Sequence, residues 1–201
     1  MRRTERSASR GTTIVEAMMG LAMLAIGASG IIAMQKVTVV ANRDARNIEV
    51  ANEIARTWLE RLRADAMVWN HPSSANYVSD IGETLWLGPN VKTPGSEAWF
   101  RPVNTNLGLY GVHDALGRDN STGSLAGPYC VNMRLTWHRP NRSIRAEVRV
   151  YWQRQNLAGT GKTLANPLCG QTPGSPPNIQ YDTDMYHFVH ATTLINQNIA
   201  Y

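Results

Sequence analysis

Between Ala17 and Gln35 the chain carries no charged residue, and no proline occurs before Pro72. An apolar stretch of that length crosses a bilayer as a helix with some tilt. The helix-compatible run continues well beyond it, to Asp65. At 1.5 Å per residue, a helix from Ile14 to Asp65 is roughly 75 to 80 Å long, more than any bilayer spans. The second half must therefore do something other than cross a membrane, and its pattern changes accordingly. Val40, Ile48, Ala51, Ala55, Trp58 and Leu62 recur at helical spacing, while Arg43, Arg46, Glu49, Glu53, Arg56, Glu60 and Arg63 take other faces. An apolar stripe of this kind predicts a partner layer.

Glu16 stands at the edge of the apolar run. An acid at the centre of a membrane helix costs about 2.5 to 3.5 kcal/mol, and less near an end, so Glu16 fits a partnered charge. An ordinary anchor with an interfacial acid is the simple alternative. Gly11, followed five residues later by Glu16 and preceded by an Arg-rich leader, resembles the class III signal of type IV prepilins and type II secretion pseudopilins. The resemblance implies cleavage after Gly11 by a prepilin peptidase on the cytoplasmic side, with Thr12 as the new N-terminus. An ordinary secretory signal is cut after its apolar stretch; here the hydrophobic helix is retained. The family usually places Phe after the cut and methylates its amine, whereas this chain has Thr12, the candidate for N-methylation. A cationic amine at Thr12 would pair with Glu16 of a neighbouring subunit and set register, because an unpaired charge in apolar surroundings costs several kcal/mol.

The segment Leu24-Ala25-Ile26-Gly27-Ala28-Ser29-Gly30-Ile31-Ile32-Ala33-Met34-Gln35 resembles that of the type IV pilus modification protein PilV group of minor pilins, and Ala51 to Ala64 is similar to its helix end. The match is specific over residues 10–64. The resemblance implies a non-catalytic subunit held in the inner membrane, with the N-terminus cytoplasmic and the head periplasmic, then carried to the pilus tip. Its implied partners are prepilin peptidase, the inner-membrane assembly platform, other minor pilins, the major pilin and a tip adhesin. A minor pseudopilin of type II secretion shares the leader and helix and is the nearest alternative; a membrane-anchored periplasmic enzyme is a more distant one.

The pI near 9.5 invites a nucleic-acid reading. Residues 1–11, however, hold Arg2, Arg3, Arg6 and Arg10 against Glu5, a net of +3 out of the formal +5. The remainder is weakly charged and offers no electrostatic footprint for nucleic acid. The leader's arginines fit the positive-inside rule and send the body of the chain across the membrane. Cys130 and Cys169 then lie in an oxidising compartment and form the candidate disulfide, worth roughly 3 to 4 kcal/mol in the chain-entropy picture; two buried thiols are the alternative.

Beyond Pro72 turns dominate. Tyr77 to Leu87 and Glu97 to Val103 read as short strands, and Gly117 to Gly127 as an exposed loop. From Ser143 to Trp152 the period becomes two: Ile144, Ala146, Val148, Val150 and Trp152 alternate with Arg145, Glu147, Arg149 and Tyr151, predicting a half-buried strand. Tyr129 to Trp137 precedes it across the turn His138 to Arg142, which makes an antiparallel hairpin. His187 to Ile195 reads as a last strand. The fold class is α+β, pilin-like: a leader over 1–11, a transmembrane helix over 12–36, an amphipathic helix over 37–66 and a strand-rich head over 67–201.

Chemical motifs are sparse. His187 and His190 with Asp182 and Asp184 are the most metal-like group, yet in a strand the two histidines point to opposite faces. His113-Asp114 offers a base and an acid without a nucleophile at a telling spacing. The chain has no phosphate-binding Gly loop, no HExxH and no GxSxG. Trp58, Trp137 and Trp152 lie on apolar stripes and are read as core; Trp69, Trp86 and Trp99 are unassigned. Asn120-Ser121-Thr122 and Asn141-Arg142-Ser143 match the glycosylation acceptor pattern, a match that chance often supplies. The reading is no catalytic residue, no metal and no cofactor.

Overall fold

The structure, a computed structural model, describes residues 13–69, 80–154, 169 and 185–197. One continuous helix, α1, spans Ile14–Val68. Thr13 precedes its first turn, and the sequence beyond the helix soon reaches Pro72, a residue that a helix interior does not accommodate. The chain divides into two compact units, residues 1–46 and residues 47–201. In the first unit every described residue, from Thr13 to Arg46, is exposed. In the second, the C-terminal half of α1 buries Ala51, Ile54, Ala55, Trp58, Leu59, Leu62 and Ala66.

Four antiparallel strands form one sheet in sequential order: β1 (Val112–His113), β2 (Tyr129–Arg139), β3 (Ser143–Gln153) and β4 (Tyr186–Asn196). The β2–β3 hairpin pairs Met133 with Val148 and Trp137 with Ile144, and an irregularity lies between Trp137 and Arg139. Asn141 in its turn adopts φ 56°, a left-handed conformation that asparagine tolerates. Strand β4 pairs with β3 throughout, from Ser143 with Asn196 to Gln153 with Tyr186. Because the side-chain period of a strand is two, one face of the sheet carries Val131, Met133, Leu135, Ile144, Ala146, Val148, Val150 and Trp152. These residues and the α1 stripe make one core cluster.

The stripe is shorter at its N-terminal end than its periodicity predicts: Val40 and Ile48 remain exposed, because burial starts only at Ala51. Among the described residues, neither short strand expected before β1 forms. The described part of Tyr77 to Leu87 is instead a 3-10 turn, Ile81–Glu83, leading into a one-turn helix, α2 (Leu87–Asn90); Tyr77 to Ser79 lie outside the described residues. The physical reason is Asp65 of α1. Its carboxylate accepts from the backbone N–H groups of Leu85, Trp86 and Leu87 at 2.6, 2.8 and 3.0 Å, donors that a strand would have offered to a ladder. Glu97 to Val103 touches β2 at one bridge, Phe100 with Met133, and Pro102 brings no N–H to extend it.

Strand β3 is also not half-buried. Glu147, Arg149 and Tyr151, on the face away from α1, are 1%, 4% and 3% exposed, so the sheet is covered on both sides. Part of that cover is a second cluster of Val112, Cys130, Tyr151, Cys169, Met185 and Tyr186, joined by the Cys130–Cys169 disulfide. Beside it, Gly111 is required to be a glycine: φ is 64°, and a Cβ there would stand 2.7 Å from Arg101 Cγ.

Trp58 is fully buried and packs edge-on to Trp86 at 5.4 Å. Trp58→Ala is expected to destabilise the head by about 3 to 5 kcal/mol, whereas Ile48→Ala stays within about 0.5 kcal/mol. Urea denaturation of the full chain in detergent, followed by circular dichroism, distinguishes the two.

Candidate functional site

The N-terminal turn of α1 is built by a local device. Thr13 Oγ1 accepts from the Glu16 backbone N–H at 3.3 Å, and the spacing Thr13-Ile14-Val15-Glu16 is that of a capping box. Glu16, the acid of the first turn, thus occupies the position where a negative charge is favoured by the helix dipole. This gives Glu16 a role within its own chain in addition to any partner. The four-residue spacing was legible in the sequence. C-terminal to it, Met18, Leu21, Ile26, Ile32 and Met34 are among the large apolar side chains left exposed. The segment contains a window of mean hydropathy 2.0, long and apolar enough to cross a membrane. Its hydroxyls turn back on the backbone: Ser29 donates to the Ile26 carbonyl at 2.7 Å and Thr38 to the Met34 carbonyl at 2.9 Å. Such bonds are required where water is absent.

Gly11 and Thr12, the predicted cleavage and methylation positions, lie outside the described residues, as do Asp182 and Asp184. Cys130 and Cys169 are joined. His187 stacks on Trp152 at 5.5 Å, while His190 sits edge-on to Trp99 at 5.8 Å, on the other face of the sheet. Among the described residues no group of three or more metal-ligating side chains comes together.

Two polar clusters escaped the sequence reading. In the first, Asp119 of the supposed exposed loop turns inward. It takes both Arg61 guanidinium nitrogens at 3.2 and 2.5 Å, and Oδ1 lies 3.1 Å from Nε2 of the buried His113. The indole N–H of Trp58 lies 3.3 Å from that same nitrogen. One nitrogen cannot accept from the indole and donate to the carboxylate at once, so protonation of Nε2 selects between them. Burial opposes ionisation of Asp119, but the hydrogen bonds and charges of His113 and Arg61 outweigh it and hold its carboxyl far below the usual range. The partners come from α1, β1 and a loop, some 55 and 58 positions apart in sequence, so no local pattern marks them.

The second cluster lies on the sheet face away from α1. Glu147 accepts from Arg134 Nε at 2.6 Å and from Arg145 at 2.5 Å, with His190 Nε2 at 3.6 Å. Trp99 lies across these strands, its ring 4.8 Å from the Arg134 guanidinium carbon and 4.2 Å from that of Arg149. Each such contact contributes about 0.5 to 2 kcal/mol. Burial disfavours the Glu147 carboxylate, yet Arg134 and Arg145 hold its pKa below the usual value.

Asp119 and Glu147 are both depressed, so their stabilisation is complete above the unfolded carboxylate pKa of about 4 and is lost as pH falls through the folded values. The denaturation midpoint should therefore drop between about pH 5 and about pH 2. Asp119→Asn should cost about 2 kcal/mol at neutral pH and flatten part of that slope, measured by urea titration at several pH values. No protein-family profile, no curated protein and no solved structure matches this chain.

Proposed function

We propose that the chain is a minor type IV pilin. It enters the inner membrane as a prepilin, N-terminus in the cytoplasm and head in the periplasm, and is cut by prepilin peptidase between Gly11 and Thr12. The assembly platform then builds it, with other minor pilins and the major pilin, into the complex that initiates and tips the pilus. There it displays a tip adhesin and supports pilus biogenesis, adhesion and twitching motility. It carries out no catalysis.

The observation that carries this reading is the division of labour along α1. Thr13 to Arg46 is wholly exposed and mostly apolar with Glu16 in its first turn, while the last turns are buried against an antiparallel sheet. A pilin needs both halves in one helix: an apolar half that serves first in the membrane and then among other subunits, and a half that anchors a head. Gly20, Gly27 and Gly30 have no atom of another described segment within 4 Å of a would-be Cβ. Close approach of a neighbouring helix gives them a purpose.

Mass spectrometry of the membrane-extracted protein should show a chain starting at Thr12 in cells with prepilin peptidase, and Gly11→Val should retain the leader. An intact Met1 to Tyr201 chain in peptidase-positive cells would sink the reading. Glu16→Gln should be processed and inserted normally yet lower surface piliation by on the order of tenfold, because it leaves the neighbour's amine unpaired in apolar surroundings; electron microscopy and shearing assays count the pili. If deletion stops exoprotein release and leaves pili intact, the chain is a pseudopilin of type II secretion.

A further inference from the structure

Among the described residues, the polar face of the sheet holds more positive charge than it neutralises. Across β2, β3 and β4 it presents Asn132 and Arg134, then Arg145, Glu147 and Arg149, then His190 and Thr192. Among these, three arginines face one carboxylate. Arg134 and Arg145 share Glu147. Arg149 has no carboxylate partner among the described residues, though only 4% of it is exposed. Tyr151, beside it on the strand, does not supply a counter-charge, since burial pushes its hydroxyl up to about 12.

Unsatisfied hydrogen-bonding atoms point the same way. Arg149 Nε and Trp99 Nε1 are buried without a partner among the described residues, and both are donors. Glu97, two residues before Trp99, has an orphan carboxylate oxygen of its own, Oε2, which accepts from none of these arginines. The Trp99 ring screens Arg149 and Arg134 without neutralising them. A buried cation left in this state is costly unless an anion completes it. The cluster is open at one side: the Arg145 side chain is 54% exposed, that of His190 40% and that of Arg134 25%. Arg134 gives its Nε–H and Arg145 one terminal N–H to Glu147, so each fork keeps further donors.

We propose that this face is an oxyanion site, binding a phosphate or carboxylate group at the mouth formed by Arg134, Arg145 and His190, above the buried charge of Arg149. The guanidinium forks match the geometry of either oxyanion. Burial, reinforced by the three arginines against the pull of Glu147, holds the pKa of His190 below its ordinary value. A bound anion reverses part of that field, so binding takes up a proton at His190 and tightens as pH falls.

The test uses the full chain in detergent micelles, labelled with ¹⁵N at arginine and histidine. It is titrated with sodium phosphate and, separately, with sodium acetate, ionic strength being held with chloride. Saturable shifts of the Arg134 and Arg145 Nε–H signals, with half-saturation at or below about 10 mM and a rise in the His190 pKa, are expected. Arg149→Gln should weaken binding by on the order of fivefold to tenfold. Arg145→Gln, at a side chain that is 54% exposed and whose loss leaves Glu147 still paired with Arg134, should do the same and covers the case in which the first variant fails to fold. A phosphate preference of about tenfold or more over acetate identifies a phosphate-bearing ligand, and equal or better binding of acetate identifies a carboxylate on a partner polypeptide. Absence of saturation by either anion up to about 50 mM, or saturation unchanged in Arg145→Gln, overturns the proposal. Neither readout depends on N-terminal processing, so its failure and that of the pilin reading are separable.

Discussion

Burial of the α1 stripe against the inner face of the sheet is the interaction on which the head depends. Ala51, Ile54, Ala55, Trp58 and Leu62 fill one helical face, and Val131, Met133, Leu135, Val148 and Val150 fill one sheet face. Neither surface is stable in water alone, and their contact joins residues from the N-terminal third of the chain to residues 80 positions later. Ala51 and Ala55 are buried in this contact, and the rings of Trp58 and Trp86 meet edge-on within it. Once the helix is seated, Asp65 holds the segment after it through three backbone donors, so α2 follows from the same docking event. Arg61, from the same stretch of helix, reaches Asp119 and draws the loop after β1 inward.

The two faces of the sheet are stabilised by different physics. The inner face is apolar and gains from exclusion of water. The outer face carries the alternate residues of the same strands, charged side chains that are covered by Trp99 and its neighbours and braced by the Cys130–Cys169 bridge at one end. Covering charges is unfavourable unless each finds a partner, and among the described residues Glu147 is satisfied twice while Arg149 has no carboxylate and its Nε no hydrogen-bond acceptor. That asymmetry separates a structural ion cluster from a surface prepared for something else. The first unit poses the complementary problem, since its side chains are mostly apolar and every described one, from Thr13 to Arg46, is exposed. A membrane and then neighbouring subunits answer it under the proposed function.

The long helix, the β2–β3 hairpin and β4 were legible because their signals are local: no proline, period 3.6, then period two. Glu16 was singled out because a charge beside an apolar run is conspicuous, and its partner Thr13 could have been read from the capping-box spacing. The short strands proposed around Tyr77 to Leu87 and Glu97 to Val103 failed for a nonlocal reason. Asp65 and the edge of β2 compete for the backbone donors and acceptors of these segments, and neither competitor is visible within a window of ten residues. The loop Gly117 to Gly127 looked solvated because its composition is polar, yet the destination of Asp119 is set by Arg61 and His113.

By itself, then, the sequence determined the elements whose formation rests on near neighbours: a helix with an apolar half and an amphipathic half, a hairpin, a final strand, and the charge arrangement at the N-terminal junction. Only the tertiary structure decided which charges are buried and with whom. Alternation along β3 assigns Arg145, Glu147 and Arg149 to one face but not that face to water or to protein. The answer came from Trp99, which Phe100 pairing with Met133 delivers across the outer surface. Contacts between segments far apart in the chain depend on where docking brings them, and the local periodicity of a strand carries no information about what lies above it.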